Sequence, residues 1–410
     1  MNYRIYIVGL VMLIFFVISF LTNILGPLIP DIIKSFDLNL ALAGFLPFSF
    51  FVAYGVMSIP AGMLIEKYRE KRVMLLAFAL AAAGAFLFGV IPTFGVAMIS
   101  LFLIGSGMAM LQVAINPLLR QAGGEEHFAF NSVLGQLTFG LASFISPQVY
   151  AYLVNNIGQD ETPNAFIGLM ETLVPEGLAW ASLYWVFAVV AALMVGVIFF
   201  SRFPKIELKE DEKAGGWDIH LKLFKNKTVI LFFIGIFCYV GTEQGVANWM
   251  SQFLSSYHGF DPQTVGADAI SWFWGLLTIG CLLGLVLLKF FDSQKVLMLF
   301  SAAAAICLTF GLFGSAQIAL YAFPMVGFFA SVLWSIIFSL ALNSVSEHHG
   351  SFSGILCTGI AGGAVFPLII GAIGDLTELR FGMAFLYLSL GFIFSMGIWA
   401  KPLVKNKTLR

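Results

Sequence analysis

The chain has 410 residues, of which 60% are hydrophobic and only 10% charged, and its 21 basic side chains balance 22 acidic ones. Soluble domains carry roughly 25% charged residues, so this composition excludes an ordinary soluble enzyme and a disordered protein. With no basic excess there is no electrostatic footprint for nucleic acid either.

A spanning helix needs about 20 apolar residues, and the roughly 246 apolar residues here meet the demand of twelve. Apolar runs separated by short polar breaks place helices near 5–34, 40–66, 72–91, 95–121, 128–155, 178–203, 227–257, 264–290, 294–313, 318–345, 350–375 and 381–403. The runs are too long and continuous for a membrane β-barrel. The first run is basic and then apolar, like a signal peptide, but no small-residue cleavage site closes it, so it is read as the first span.

The strongly polar stretch from Phe203 to Lys227 divides the chain into an N-terminal six-helix bundle at 1–203, a cytoplasmic linker at 204–226 and a C-terminal six-helix bundle at 227–410. A short amphipathic helix around Trp217–Phe224 is expected to lie on the membrane surface. Assigning alternate loops to two sides puts 19 of the 21 Lys and Arg with the termini, leaving Lys34 and Arg380 opposite. By the bias of basic loops, both termini are cytoplasmic.

The halves echo one another. GMLIEKYREKRVMLL from Gly62 matches GLVLLKFFDSQKVLML from Gly284 at an offset of 222, and FISP ending at Pro147 matches AVFP ending at Pro367 at an offset of 220. Two parallel six-helix repeats enclosing a midplane site form a transporter plan.

Gly62, Glu66, Lys67 and Lys71 resemble the signature loop of the major facilitator superfamily, with Arg69 and Glu70 replacing its glycine and arginine. TNILGP from Thr22, IPAG from Ile59, LQVAINP from Leu111, FCYVG from Phe237 and IFSLAL from Ile337 resemble the fucose–glucose–galactose permeases of that superfamily, at similar spacing over nearly the whole chain. The resemblance implies an alternating-access sugar symporter, acting without a bound cofactor, in a bacterial-type cytoplasmic membrane. It also implies that Glu66, Lys67, Lys71 and Arg72 hold an inward gate shut. Fucose-permease-like proteins place carboxylates where this chain has Asn23 and Gln112, and proton coupling is attributed to them. Amides do not titrate, which moves the expected co-transported ion from H+ towards Na+ and leaves both open, together with uniport.

Glu243 lies near the centre of the seventh helix, where a charge costs roughly 2.5–3.5 kcal/mol on insertion scales and therefore marks a site. A carboxyl there can exchange a proton or ligate a hard cation, so Glu243 is the expected coupling residue. Gln244, Asn248 and Gln252 follow at i+4 spacing as one polar stripe, with Trp249 beside it. Amides and carboxylates suit sugar hydroxyls, and aromatic rings suit C–H faces. On the first half, Asn23, Gln112, Asn116 and Gln136 are the facing set, with Ser132, Phe139 and Ser143 along the same strip as Gln136. Trp334 is a further stacking residue and Asn343 a weaker contact. Asp268 reads as a helix-end or gate residue, and Trp272 and Trp274 as interface anchors.

Cys238, Cys281, Cys307 and Cys357 read as small hydrophobes, and none of the five histidines has metal-ligand spacing. No Walker loop, Rossmann fingerprint or nucleophile elbow occurs, which favours secondary transport. The expected partners are a small-molecule sugar and the lipid bilayer, with the protein a monomer. The rivals are an exporter of another metabolite, which would have a more apolar cavity; a membrane-embedded enzyme, which would need a clustered catalytic site; and a sugar sensor, which only flux separates from a carrier.

Overall fold

A computed structural model describes residues 3–123, 128–159, 164–203, 216–345 and 348–402. Among these residues there is no strand. Twelve helices are long and apolar enough to cross a membrane: Ile5–Phe36, Leu40–Tyr68, Glu70–Val90, Phe94–Ile115, Leu134–Asn156, Ala179–Phe200, Lys227–His258, Pro262–Phe290, Ser293–Phe313, Ala316–Leu342, Gly350–Leu376 and Leu379–Trp399. They are called the first to twelfth spans below. Each expected helix has its span, with ends shifted by a few residues. Of the expected linker, 204–215 lies outside the described residues. Trp217–Leu223 is helical and packs against the start of the eleventh span, with His220 buried. A further short helix not expected from the sequence, Ala165–Leu173, lies between the fifth and sixth spans, capped by the Asn164 side chain.

The spans form two bundles, one from the first six and one from the last six. Two spans are interrupted. The first breaks at Asn23–Ile24, between helices Tyr3–Thr22 and Leu25–Phe36. Pro27 is the cause: it has no N–H for the carbonyl four residues back, which is that of Asn23, and its ring crowds that carbonyl. Ser146 Oγ donates to the Phe20 carbonyl across the bundle at 2.9 Å, supplying a donor beside the break where lipid has none. The tenth span breaks between Ala330 and Leu333. There Ser331 and Val332 seat against Gly280 and Gly284 of the eighth span, a small-xxx-small surface that admits a close approach.

The bundles meet along two principal seams, second span against eleventh and fifth against eighth, with the half of the first span after its break also against the seventh. Most of the named contacts lie towards the face away from the termini. Phe144 meets Trp272 edge-on at 5.6 Å, and Gln148 donates to Asp268 at 2.7 Å and Ser271 at 3.1 Å. Gly140 faces the Thr278 side chain so closely that a Cβ there would overlap it.

Gly140 therefore sets the closest approach of the fifth and eighth spans. Gly140→Leu is expected to destabilise the folded protein by about 1–3 kcal/mol, because the overlap must be relieved by moving the two spans apart. Adding Thr278→Ala is expected to restore part of the loss. Thermal unfolding of the purified protein checks both, and equal midpoints for parent and Gly140→Leu would reject the assignment.

Candidate functional site

The seventh span is one unbroken helix of 32 residues, started by Asn226, whose side chain accepts from Thr228 N, and stopped at Gly259 in the left-handed region (φ 69°). Its length carries Glu243 to mid-membrane depth. Tyr239, one turn before, donates to Glu243 Oε2 at 2.5 Å. Gln244 Nε2 donates to Glu243 Oε1 at 3.2 Å. The carboxyl group is thus gripped on both oxygens and half-buried. Asn248 Nδ2 reaches back to the Gln244 carbonyl at 2.8 Å and to Gln244 Oε1 at 3.2 Å. Gln244 and Asn248 are both buried, where an unpaired amide would cost about 1–3 kcal/mol. Every bond in this chain therefore matters.

The other half of the site grows from the broken first span. Asn23 sits in the turn, and its Nδ2 donates to Ser143 Oγ at 2.8 Å. Ser19 Oγ lies 2.5 Å from Ser143 Oγ and donates to the Phe139 carbonyl at 2.5 Å. Gln244 Nε2 approaches Asn23 Oδ1 at 3.5 Å. One polar chain thus runs from Tyr239 through Glu243, Gln244 and Asn23 to Ser143, crossing from the second bundle to the first. The crossing link is its longest bond.

Trp334 extends the site on the tenth span. It stacks on Phe338 at 5.8 Å and lies 6.0 Å from the Tyr239 ring. An aromatic wall of Tyr239, Trp334 and Phe338 therefore continues from the hydroxyl that donates to the carboxylate. Gln136 is exposed on the fifth span. Gly135 faces the Phe15 ring of the first span and Gly140 faces Thr278 of the eighth. At about 100° per residue, Gln136 points between those two directions, into the space between the bundles. Ser143 returns to the same strip two turns on. Gln112 is half-buried on the fourth span. Asn116 and Ser132 lie in helices, with side chains outside the described set.

Other expected residues are placed elsewhere. Trp249 is fully buried, and its indole N–H donates to the Pro367 carbonyl at 2.9 Å. It ties the seventh span to the eleventh and is not at a cavity wall in this structure. The reason is angular: one residue beyond Asn248 is a 100° turn away from the polar stripe. Lys71 does not bridge the bundles here. Its Nζ donates to the Phe199 and Ser201 carbonyls at 2.7 and 2.8 Å, satisfying the C-terminal end of the sixth span with a cation where the helix dipole favours one. Glu66, Lys67 and Arg72 are exposed at the same end, with Lys67 over the Tyr68 ring. Asp268 joins Gln148 across the seam, as a gate residue would. Trp274 is buried and Trp272 exposed. Asn343 is half-buried beyond the end of its helix.

Tyr239 and Ser19 are the residues that sequence reasoning missed. Their signal is the i–4 position before Glu243 and before Asn23, which puts each on the same helix face as the group it serves. No group of three or more His, Cys, Asp or Glu that would hold a metal occurs among the described residues.

The sequence profile of the Major Facilitator Superfamily matches residues 11–357. A protein of Brucella abortus biovar 1 (strain 9-941) named glucose/galactose transporter is 32% identical over 372 residues, covering 88% of this chain and 86% of that one. The L-fucose-proton symporter of Escherichia coli (strain K12) is 25% identical over 397 residues, covering 91% and 88%. Among solved structures, the transporter FucP in the outward conformation matches with a TM-score of 0.71 at 21% identity, covering 98% of this chain and 100% of that one. A bacterial homologue of the human lysosomal transporter Spinster, inward-facing and unoccupied, matches at 0.75 with 14% identity, covering 97% of each. Both share the fold.

Tyr239→Phe removes a donor from the Glu243 carboxyl and leaves the ring in place. Hydrogen bonds to charged groups contribute roughly 1.5–3 kcal/mol, so the half-saturating concentration of any cation that binds at Glu243 is expected to shift at least about tenfold, with little change in the amount of folded protein. Initial uptake rates against cation concentration check this; an unchanged half-saturation would remove Tyr239 from the site.

Proposed function

The chain belongs to the Major Facilitator Superfamily, and from that premise we propose that it is a secondary transporter carrying a monosaccharide into the cytoplasm together with Na+ or H+. The substrate is a hexose such as fucose, glucose, galactose or N-acetylglucosamine. The observation that carries this reading is the polar chain Tyr239–Glu243–Gln244–Asn23–Ser143, which joins the two bundles at mid-membrane depth beside an aromatic wall. Carboxylate and amide groups suit sugar hydroxyls, and Trp334 suits a sugar's apolar face. The relatives named for glucose, galactose and fucose support the same substrate class.

The protein lies in a bacterial-type inner membrane with both termini cytoplasmic, by the distribution of basic residues. The face away from the termini is then the outer one, and the tightly joined seams close the site to the outside. Transport follows from rocking of the bundles about the midplane. Cation and sugar together must favour the conformation that reorients, and by linkage each then raises the affinity of the other. Glu243 is the coupling group. Asn23, Gln244, Asn248, Gln136 and Trp334 contact sugar as the cavity opens, and Gln112 on the fourth span completes the set.

Uptake of labelled sugars into proteoliposomes, with sodium and pH gradients imposed separately, tests the proposal. Accumulation of one sugar under a single gradient is expected. Glu243→Gln is expected to lower gradient-driven accumulation at least about tenfold, since a charge-assisted interaction is lost, while exchange of labelled for unlabelled sugar continues. Equal uptake with and without either gradient would replace symport by uniport, and accumulation by Glu243→Gln equal to the parent's would exclude Glu243 as the coupling group.

A further inference from the structure

We propose that Asp375 is a positioning residue that sets the balance between outward- and inward-facing states, by completing from the second bundle a helix end that the first bundle leaves open. The proposal rests on the transporter reading for its context, and the observation is a contact between bundles on the face away from the termini. The first intrahelical bond of the second span runs from Ala43 N to the carbonyl of its N-cap Asn39 at 3.0 Å, which leaves the N–H groups of Leu40, Ala41 and Leu42 without a partner in the helix ladder. The Asn39 side chain accepts from Leu42 N at 2.8 Å. The remaining two come from across the seam. Asp375 Oδ1 accepts from Leu40 N at 2.9 Å, and Oδ2 from Ala41 N at 2.7 Å.

This arrangement has three consequences. First, the contact uses both oxygens of one carboxylate, so an amide of the same shape does not replace it. Second, it places a negative charge at a helix N-terminus, where the dipole favours it. Third, the N–H groups belong to one bundle and the acceptor to the other, so parting the bundles on this face necessarily returns both to water. Backbone that is capped only in one conformation is a direct thermodynamic link to that conformation.

The surroundings hold this end of the seam close. Gly371, one turn before Asp375, lies against the Leu40 carbonyl and the Trp249 ring, and a Cβ at Gly374 would meet Leu40 Cδ1 at 3.0 Å. These glycines let the start of the second span approach the eleventh within reach of the carboxylate. Trp249 is bonded to Pro367 and stands one residue from Asn248. The same packed unit therefore touches both the latch and the helix that carries the polar chain. A second carboxylate crosses the seam on the same face. Asp31 of the first span accepts from the Tyr150 hydroxyl in its own bundle and from Gln263 Nε2 of the other at 3.1 and 3.2 Å.

Hydrogen–deuterium exchange of the full-length protein in lipid nanodiscs, without sugar, tests the proposal. Asp375→Asn is expected to speed exchange at residues 40–42 and, by a similar factor, at other outer seam segments that Asp375 does not touch, namely 145–156 and 262–271. From the cost of losing a helix cap the factor is about 3- to 30-fold. The outer start of the fourth span, 94–100, lies off the seam and is expected to stay unchanged. Asp375→Glu is expected to recover part of the protection, and Asp31→Asn to give the same distributed pattern. Faster exchange confined to residues 40–42 would mean a local cap with no hold on the conformational balance and would overturn the proposal, as would no change anywhere. Because no substrate is present, either result is independent of whether a sugar is carried.

Discussion

A missing hydrogen bond organises this protein. Pro27 has no N–H to give the Asn23 carbonyl, and in a membrane no water replaces it. The first span therefore breaks at mid-depth, and the chain places polar side chains around the break: Ser146 towards the Phe20 carbonyl, Ser143 and Ser19 around the Asn23 side chain. A polar centre that apolar helices would otherwise exclude now exists in the first bundle. The second bundle answers it with an unbroken helix carrying Glu243 and Gln244. The break also frees the outer half of the first span to lean on the seventh, where Gly26 lies against the Ala247 carbonyl. Site and seam share one origin.

The bond lengths divide the polar chain unevenly. Within each bundle the links lie between 2.5 and 3.2 Å, whereas the link between bundles, Gln244 to Asn23, is 3.5 Å. A carrier that rocks must break its cross-bundle contacts at each turnover, and a weak one is broken cheaply. The stronger cross-bundle bonds lie at the outer edge, where water takes the place of each lost partner as the face opens. Polar links at mid-depth hold each bundle together, and polar links at the rim hold the bundles to each other.

The twelve spans were legible because each is a local property: about twenty apolar residues between charges declare themselves without reference to any neighbour. Glu243 was legible for the same reason, since a carboxylate at the centre of a span is conspicuous in one dimension. The seam was not. Asp375 sits near a helix end among Thr377 and Glu378 and reads as an ordinary loop charge, because its partners are backbone N–H groups more than 330 positions away. Trp249 stands beside the polar stripe in sequence, and one residue's rotation carries it into the core, where its partner is the Pro367 carbonyl. Lys71 matches a family signature that implies a gate held by charges at neighbouring helix ends, and its ammonium finds two carbonyls at the end of the sixth span. The positions of Asn23 and Gln244 were each readable, but their meeting depends on the break at Pro27 and on the angle between two bundles, which no spacing encodes.

The groups at the polar centre limit how any ion could be coupled. Asn23 and Gln112 accept and donate hydrogen bonds, but do not take up a proton. Of the side chains in the polar chain that crosses the bundles, Glu243 alone is a carboxyl group. A proton mechanism would therefore have to run through this one residue, with Tyr239 and Gln244 as its donors in the ionised state. A sodium mechanism asks less: a hard cation takes oxygen ligands of any kind, and the Asn23 amide oxygen, the Ser19 and Ser143 hydroxyls and the Phe139 carbonyl already converge beside the break. Glu243, on the facing bundle, would supply the compensating charge.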